Sequence, residues 1–351
     1  MFRPRTTGWL GFDLGGAAVK SAQVVRTSSG FRLRSAAIVP RRERWDPQAL
    51  TAEHPLSSAD ELQTAASLSR VPSRRPAAAV LPMMLCDAAL VDEAARTTAD
   101  LIALVEADLH QSLSGYVLAS WPTNLPEGKL NVLAVPEAWS DQVSGDIAAG
   151  RWNCRALDAL PLALARAVRI SDATVESRTV AALDWGVGRA TLCLIHHGAP
   201  TLTRVLRDCS FQNAIDAVSR RLRLSEADVV RALHQYASPG AAPGDDSGAP
   251  RSAAPDLLAA ALREPLYGLE QELRRTLGYW QTQTRGVRPD SLVLFGGGAS
   301  WAGLAPHLAG LLNLPVARWQ LDAEDPAAES LPPAYLLGPA AAASALAWEA
   351  S

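Results

Sequence analysis

The sequence predicts an α/β protein of two similar lobes facing each other across a cleft, with a small extra subdomain inserted in the first. The plan strand, Asp-x-Gly turn, return strand, second turn, third strand occurs twice, near residues 9–39 and again near 180–206. A separate apolar strand, Ser291 to Phe295, runs into Gly296-Gly297-Gly298 and then a helix. Short apolar strands alternate with helical periodicities through the rest of the chain.

In the first copy, Trp9 to Lys20 and Ser21 to Arg26 form a hairpin that turns at Gly15-Gly16, and Phe31 to Val39 adds a third meander strand after Ser28-Ser29-Gly30. Three adjacent strands at the start make an antiparallel opening rather than a dinucleotide-fold start. Arg41 to Pro47 reads as a polar loop and Ser58 to Ser69 as a short helix with Ser58 as its N-cap. Ala77 to Leu81 and Met83 to Val91 read as strands, Ala94 to Leu113 as a helix, and Tyr116 to Pro122 and Leu130 to Val135 as two more strands. A helix follows near Trp139 to Ala149, then Cys154 to Asp158. A further helix, Pro161 to Val168, has proline near its first position.

The second copy runs from Val180 to Asp184, turns on Gly186 and Gly188, returns through Ala190 to His196 and continues as Thr201 to Leu206. Phe211 to Arg223 and Ser225 to Tyr236 are two helices, the second with Ser225 and Asp228 as a capping box. Ser238 to Pro255 is a Pro/Gly/Ala/Ser loop expected to be mobile, and Asp256 to Gln283 is one helix or two, divided near Pro265. A helix from Ala302 to Leu312, a strand from Val316 to Trp319 and a helix from Tyr335 to Trp348 complete the chain.

Composition narrows the function. The 351 residues are 48% hydrophobic and 20% charged, enough apolar material for sizeable cores, and the net charge of −3 lacks the basic excess of a nucleic-acid binder. The four cysteines, Cys86, Cys154, Cys193 and Cys209, have no C-x-x-C spacing and read as reduced and mostly buried, which favours the cytoplasm. The opening Met1 to Gly8 is polar and carries no export signal, and the Ala-rich Leu336 to Trp348 is too short and too weakly apolar to span a bilayer.

Two Asp-Gly hairpins and a Gly-Gly-Gly loop suit a nucleotide clamped between two lobes. The backbone at Gly15, Gly16, Gly186 and Gly188 can approach phosphate and offer amides to it. Asp13 and Asp184 can hold Mg²⁺ through its waters, and Gly296, Gly297 and Gly298 can lie against sugar and base. Lys20, on the return strand, is placed either to reach phosphate or to face solvent. Glu272, Arg275 and Thr276 share one helical face by their spacing, and read as an adenine or ribose contact or as a solvent-facing ion pair. His196 and His197 lack ligand spacing and read as structural. Trp121, Trp139 and Trp152 fall in the extra subdomain, where some could line a peptide groove and most would fill core.

These motifs, in this order, resemble the actin-like ATPase superfamily of actin, heat-shock chaperones and sugar kinases, and within it the PilM-like proteins of type IV pilus assembly. Gly11 to Lys20 resembles the opening phosphate loop, Asn131 to Pro136 and Leu157 to Ala165 the strand and linking helix before the second half, and Asp184-Trp185-Gly186 with Thr191 the second phosphate loop. Glu272 to Leu277 resembles the helix beside the adenine pocket, Leu294 to Ala299 the adenosine loop, and Gly303-Leu304 the helix after it. The resemblance implies a duplicated actin-like (RNase H-like) fold with an extra subdomain of the kind found in PilM and FtsA. It places the first-lobe core at 1–76 with 159–178, the inserted subdomain at 77–158 and the second lobe at 179–351. It also implies ATP and Mg²⁺ as cofactors and a groove for the short cytoplasmic tail of a PilN-like single-span membrane protein. Residence would be cytoplasmic, peripheral at the inner membrane through that partner, with no direct membrane insertion and with self-association left open.

The chain departs from the pattern where serines usual after the first glycine are Gly16, Ala17 and Ala18, and where Trp185 and Arg189 replace small residues. Backbone donors survive and hydroxyl donors are lost. Glu137 and Asp158 are general-base candidates by location only, so the enzyme expected is at most a slow ATPase. The alternatives are an adaptor that has lost nucleotide binding and, with less support, a small-molecule kinase of the same fold. An FtsA-like membrane helix is disfavoured, because Ala340 to Ser351 carries no Lys or Arg.

Overall fold

A computed structural model describes residues 6–46, 50–51, 53–92, 97–123, 125, 128–235, 254–325 and 331–349. The expected 238–255 loop lies almost wholly outside the described residues.

The chain opens with strands β1 (Leu10–Leu14), β2 (Ala18–Thr27) and β3 (Gly30–Pro40), followed by helix α1 (Ala59–Leu68) and strand β4 (Pro76–Leu81). Then come β5 (Asp87–Asp92), α2 (Thr98–Leu109), β6 (Tyr116–Pro122), β7 (Lys129–Pro136), α3 (Glu137–Ala149), β8 (Asn153–Ala159) and α4 (Leu160–Ser171). The second half holds β9 (Thr179–Trp185), β10 (Ala190–His196), β11 (Ala199–Leu206), α5 (Phe211–Leu222), α6 (Glu226–Gln235) and α7 (Ala254–Gln283). It ends with β12 (Ser291–Phe295), α8 (Leu304–Leu312), β13 (Val316–Arg318) and α9 (Gly338–Ala345).

The internal repeat is a repeat of topology. One five-stranded sheet has the order β3-β2-β1-β4-β8 and another the order β11-β10-β9-β12-β13. In each, three antiparallel strands are extended by two parallel ones. The central strands β1 and β9 are buried on both faces, which their nearly unbroken apolar runs require. Helices α4 and α9 lie between the sheets. Every residue of α9 is buried, and its small side chains let the backbones come close. A Cβ at Gly11 would stand 2.0 Å from the Ala340 carbonyl oxygen, so only glycine fits where β1 meets α9. A bulge after Gln23 frees the Val24 amide, which donates to Ser344 Oγ at 3.0 Å, and that hydroxyl donates to the Trp9 carbonyl at 2.6 Å.

The pairing divides the chain differently from the expected 77–158 insert. Strands β4 and β8 belong to the first large sheet, because their apolar residues complete its core. Only β5, β7 and β6, with α2 on one face, form the separate three-stranded unit. The C-terminal α9, expected with the second lobe, packs on β1 and β2 of the first. Trp121 and Asn131 tie the small unit to the second lobe: Trp121 Nε1 donates to the Pro200 carbonyl at 2.8 Å, and Asn131 Nδ2 donates to those of Pro200 and Thr201 at 3.2 Å. Trp139 and Trp152 are buried in the first-lobe core. The former donates to the Thr51 carbonyl, and the latter meets Phe12 edge to face.

Other readings shift locally. Met83–Leu85 is a 3₁₀ turn before β5, and α2 starts at a capping box made by Thr97 and Asp100. Ser58 does not cap α1 with its side chain; its hydroxyl accepts instead from Arg41 at 2.9 Å. Helix α7 runs unbroken through Pro265, because Leu258, Leu262, Leu266, Leu269 and Leu273 bury one continuous stripe that outweighs the lost backbone hydrogen bond.

Candidate functional site

The two Asp-Gly turns come together at the ends of β1 and β9. A cavity of about 180 Å³ is lined by Asp13, Gly15, Gly16 and Lys20 from one side and by Asp184, Gly186, Gly188, Thr191, Gly296 and Gly297 from the other, with Arg189 also on its wall. The sequence marks all of these except Arg189 as site residues; Ile38, Pro82, Met83, Met84, Leu160, Val187 and Leu336 also line the cavity and carry no such mark. Sheet register positions the first pair. Asp13 lies directly opposite Lys20 on the β1–β2 ladder, as Asp184 lies opposite Thr191 on β9–β10.

Lys20 Nζ donates to Asp13 Oδ2 at 2.7 Å, and both side chains are mostly buried. Burial opposes the Lys20 charge, but Asp13 and Asp184 outweigh it and hold the ammonium pKa above its ordinary value. Burial pushes Asp184 the other way, up to about 6, with Lys20 opposing and Asp13 adding to the rise. The Asp184 carboxylate has no ion pair of its own among the described residues.

The backbone of the first turn is arranged for an anion. Its carbonyls are taken by the segment 41–45: the Arg41 amide donates to Ala17 and the Trp45 amide to Gly16, both at 2.9 Å, and Arg41 Nε donates to Gly15 at 2.8 Å. The amides of Gly15, Gly16 and Ala17 donate no hydrogen bond among the described residues. Free amides in a tight turn make a nest for negative charge. In the second turn the Gly186 amide closes on the Arg189 carbonyl at 3.0 Å, and the first amides of α5 donate to Gly186 and Val187.

The two turns nearly touch. A Cβ at Gly16 would stand 3.8 Å from the Gly188 Cα and 3.0 Å from Met84. Arg44 crosses between the lobes, donating to Gln212 Oε1 at 2.7 Å and pairing with Glu226. Arg41 stacks on Trp45, 3.5 Å from the ring centroid, and burial lowers its pKa to about 10. Beyond the second turn lies a larger cavity of about 640 Å³, lined by Arg44, Trp45, Arg189, Arg207, Gln212 and Asn213 among others.

Glu272, Arg275, Thr276 and Gly298 lie outside the cleft lining. Thr276 is wholly buried and its hydroxyl donates to the Glu272 carbonyl at 2.8 Å, while Glu272 pairs with Arg204 at 2.9 Å and with Arg275 at 3.0 Å. Gly298 is buried under Trp185. Neither base candidate reaches the cleft lining. Glu137 is exposed at the start of α3, and Asp158 is buried against Arg166, which also pairs with Glu349. His196 and His197 bond to the Thr179 hydroxyl and the Glu176 carbonyl, as structural residues do. All four cysteines are free, and Cys193 and Cys209 are buried.

No protein-family model and no curated protein sequence matches the chain. Solved structures do. A PilM–PilN type IV pilus biogenesis complex superposes with a TM-score of 0.72 at 22% identity, covering 96% of each chain. The ethanolamine utilization protein EutJ from Carboxydothermus hydrogenoformans gives 0.54 at 12%, covering 99% of this chain and 91% of that one. MreB5 of Spiroplasma citri bound to AMPPNP gives 0.51 at 11%, covering 99% and 98%. The fold is therefore the duplicated actin-like one, of the PilM type.

Proposed function

We propose that this chain is an actin-like cytoplasmic scaffold of a type IV pilus or secretion assembly. It binds ATP between its lobes and holds the cytoplasmic tail of a PilN-like inner-membrane protein. The observation that carries the nucleotide part is the meeting of both Asp-Gly turns, Lys20 and the Gly296–Gly297 loop on one cavity. The partner part rests on likeness to the PilM–PilN complex. Among the described residues no helix is long and apolar enough to cross a membrane, so attachment through a partner is the economical arrangement.

Asp13 and Asp184 suit a water-bridged Mg²⁺. Mg²⁺ is commonly held by one or two carboxylates with phosphate and water completing its shell, and Asp184 carries charge that burial disfavours and Lys20 offsets only in part, with no direct ion pair among the described residues. Such an ion would neutralise phosphate charge. The chain itself contributes the free amides of the first turn and the Lys20 ammonium, which could turn from Asp13 to a phosphate oxygen within the same cavity. Neither Glu137 nor Asp158 lines the cleft to act as a base, which supports holding nucleotide over turning it over.

Calorimetric titration with ATP and Mg²⁺, and with a synthetic tail peptide of the membrane partner, tests both parts. The wild type should bind each and Asp13→Ala should lose the nucleotide. Absence of both binding events in the wild type would sink the proposal.

A further inference from the structure

On the Gly297–Gly298 side of the glycine loop, where the sequence sets the sugar and base, the space is taken by Trp185 and Phe211. Trp185 and Phe211 meet edge to face with centroids 5.2 Å apart, and they are 1% and 4% exposed. Trp185 Nε1 donates to the Cys209 carbonyl at 2.8 Å, which fixes the indole. A Cβ at Gly298 would stand 2.3 Å from that ring, and one at Gly297 would stand 3.4 Å from the Phe211 ring. On α7, Glu272, Arg275 and Thr276 are engaged with one another and with Arg204. What remains of the cleft, about 180 Å³, falls below the roughly 300–1,000 Å³ of ordinary small-molecule pockets.

The room lies elsewhere. Val187, Gly188 and Arg189 border both the cleft and the 640 Å³ cavity, where Arg44, Arg189 and Arg207 face Asp46 and Asp208. Arg189 Nε is buried without a hydrogen-bond partner, and Arg207 has no ion pair among the described residues.

We infer that the cleft is a polyphosphate site that does not read the base. The phosphates sit at the glycine turns between Lys20 and Arg189, and the nucleoside leans out toward the arginine-lined cavity. This rests on the nucleotide reading above.

The test is competition against a fluorescent ATP analogue on the full chain with Mg²⁺, using ATP, GTP, CTP, inorganic tripolyphosphate and adenosine. The four triphosphates should compete within about tenfold of one another and adenosine not at all. Arg189→Gln should weaken all four alike, and Phe211→Ala, which hollows the space beside Gly297, should favour ATP over tripolyphosphate. A preference for ATP over both GTP and tripolyphosphate beyond about tenfold in the wild type, or competition by adenosine, overturns the inference while leaving the nucleotide reading intact. Binding of none of the triphosphates overturns both. The wild-type comparison decides even if Phe211→Ala fails to fold.

Discussion

Lys20 and Asp13 face each other on adjacent strands, Nζ 2.7 Å from Oδ2, at the point where the two lobes meet. The ammonium thus lies between two buried carboxylates, paired with one and within electrostatic reach of the other. Asp13→Ala leaves that charge with Asp184 alone. The expected loss is about 3 kcal/mol of stability, read from denaturant unfolding, because breaking a buried pair strands the surviving partner.

Asp184→Asn should act in the opposite direction. The carboxyl is held at about 6 in the fold against about 4 in an unfolded chain. Between these values the folded form carries more protons than the unfolded one. The stability tied to the raised pKa is therefore fully present below about pH 4 and lost as pH rises through about 6. At pH 7 the asparagine variant should gain on the order of 2 kcal/mol over wild type, and the gain should vanish near pH 4. Thermal unfolding at the two pH values checks it. An equal difference at both would show that Asp184 is not held up.

Gly11→Ala should be among the most damaging small changes. The new methyl would meet the Ala340 carbonyl at 2.0 Å, with the Ser344 amide at 2.5 Å, and neither backbone can move without shifting α9. A loss of about 3 kcal/mol is expected from such overpacking, with a matching fall in melting temperature.

Asn131→Ala removes two of the three side-chain bonds that hold the three-stranded unit to the Pro200 and Thr201 carbonyls and leaves the one from Trp121 Nε1. The cost should be about 1–3 kcal/mol. Hydrogen exchange should speed up at β5, β6 and β7 while the two large sheets stay protected. Uniform acceleration across all three sheets would show that the unit is not separately attached.

Arg44→Ala should leave stability within about 1 kcal/mol, because its ion pair with Glu226 is about half exposed on each side. It should instead loosen the lobes. Proteolysis near residues 41–46 and ligand exchange should both quicken with little change in melting temperature.

The order of elements was legible in the residues. Apolar runs, Asp-Gly turns and helical periodicities are local signals, and they locate β1, β2, β3, β9, β10 and β11, the glycine loop and the polar and glycine part of the cleft lining, but not its apolar wall of Ile38, Met83, Met84, Leu160 and Leu336. Other assignments depend on which surfaces meet. Met83 to Val91 looks like one strand because it is apolar at every position but Asp87, yet the chain turns at Met83–Leu85 before pairing with β7. Glu272, Arg275 and Thr276 share a helical spacing, but spacing does not tell a face turned to a cleft from one turned to Arg204 and the core.

The sequence by itself determined the duplicated plan and the two aspartate turns, because each is written in a short stretch whose conformation its own residues dictate. Only the tertiary structure decided what stands between those turns. Trp185 and Phe211, far apart in the chain, meet beside Gly297 and Gly298; Arg44 reaches across to Glu226; and β4, β8 and α9 join the first lobe from distant positions. Such choices follow from close packing, in which the shape left by one element selects its partner, and no single stretch of sequence carries that information.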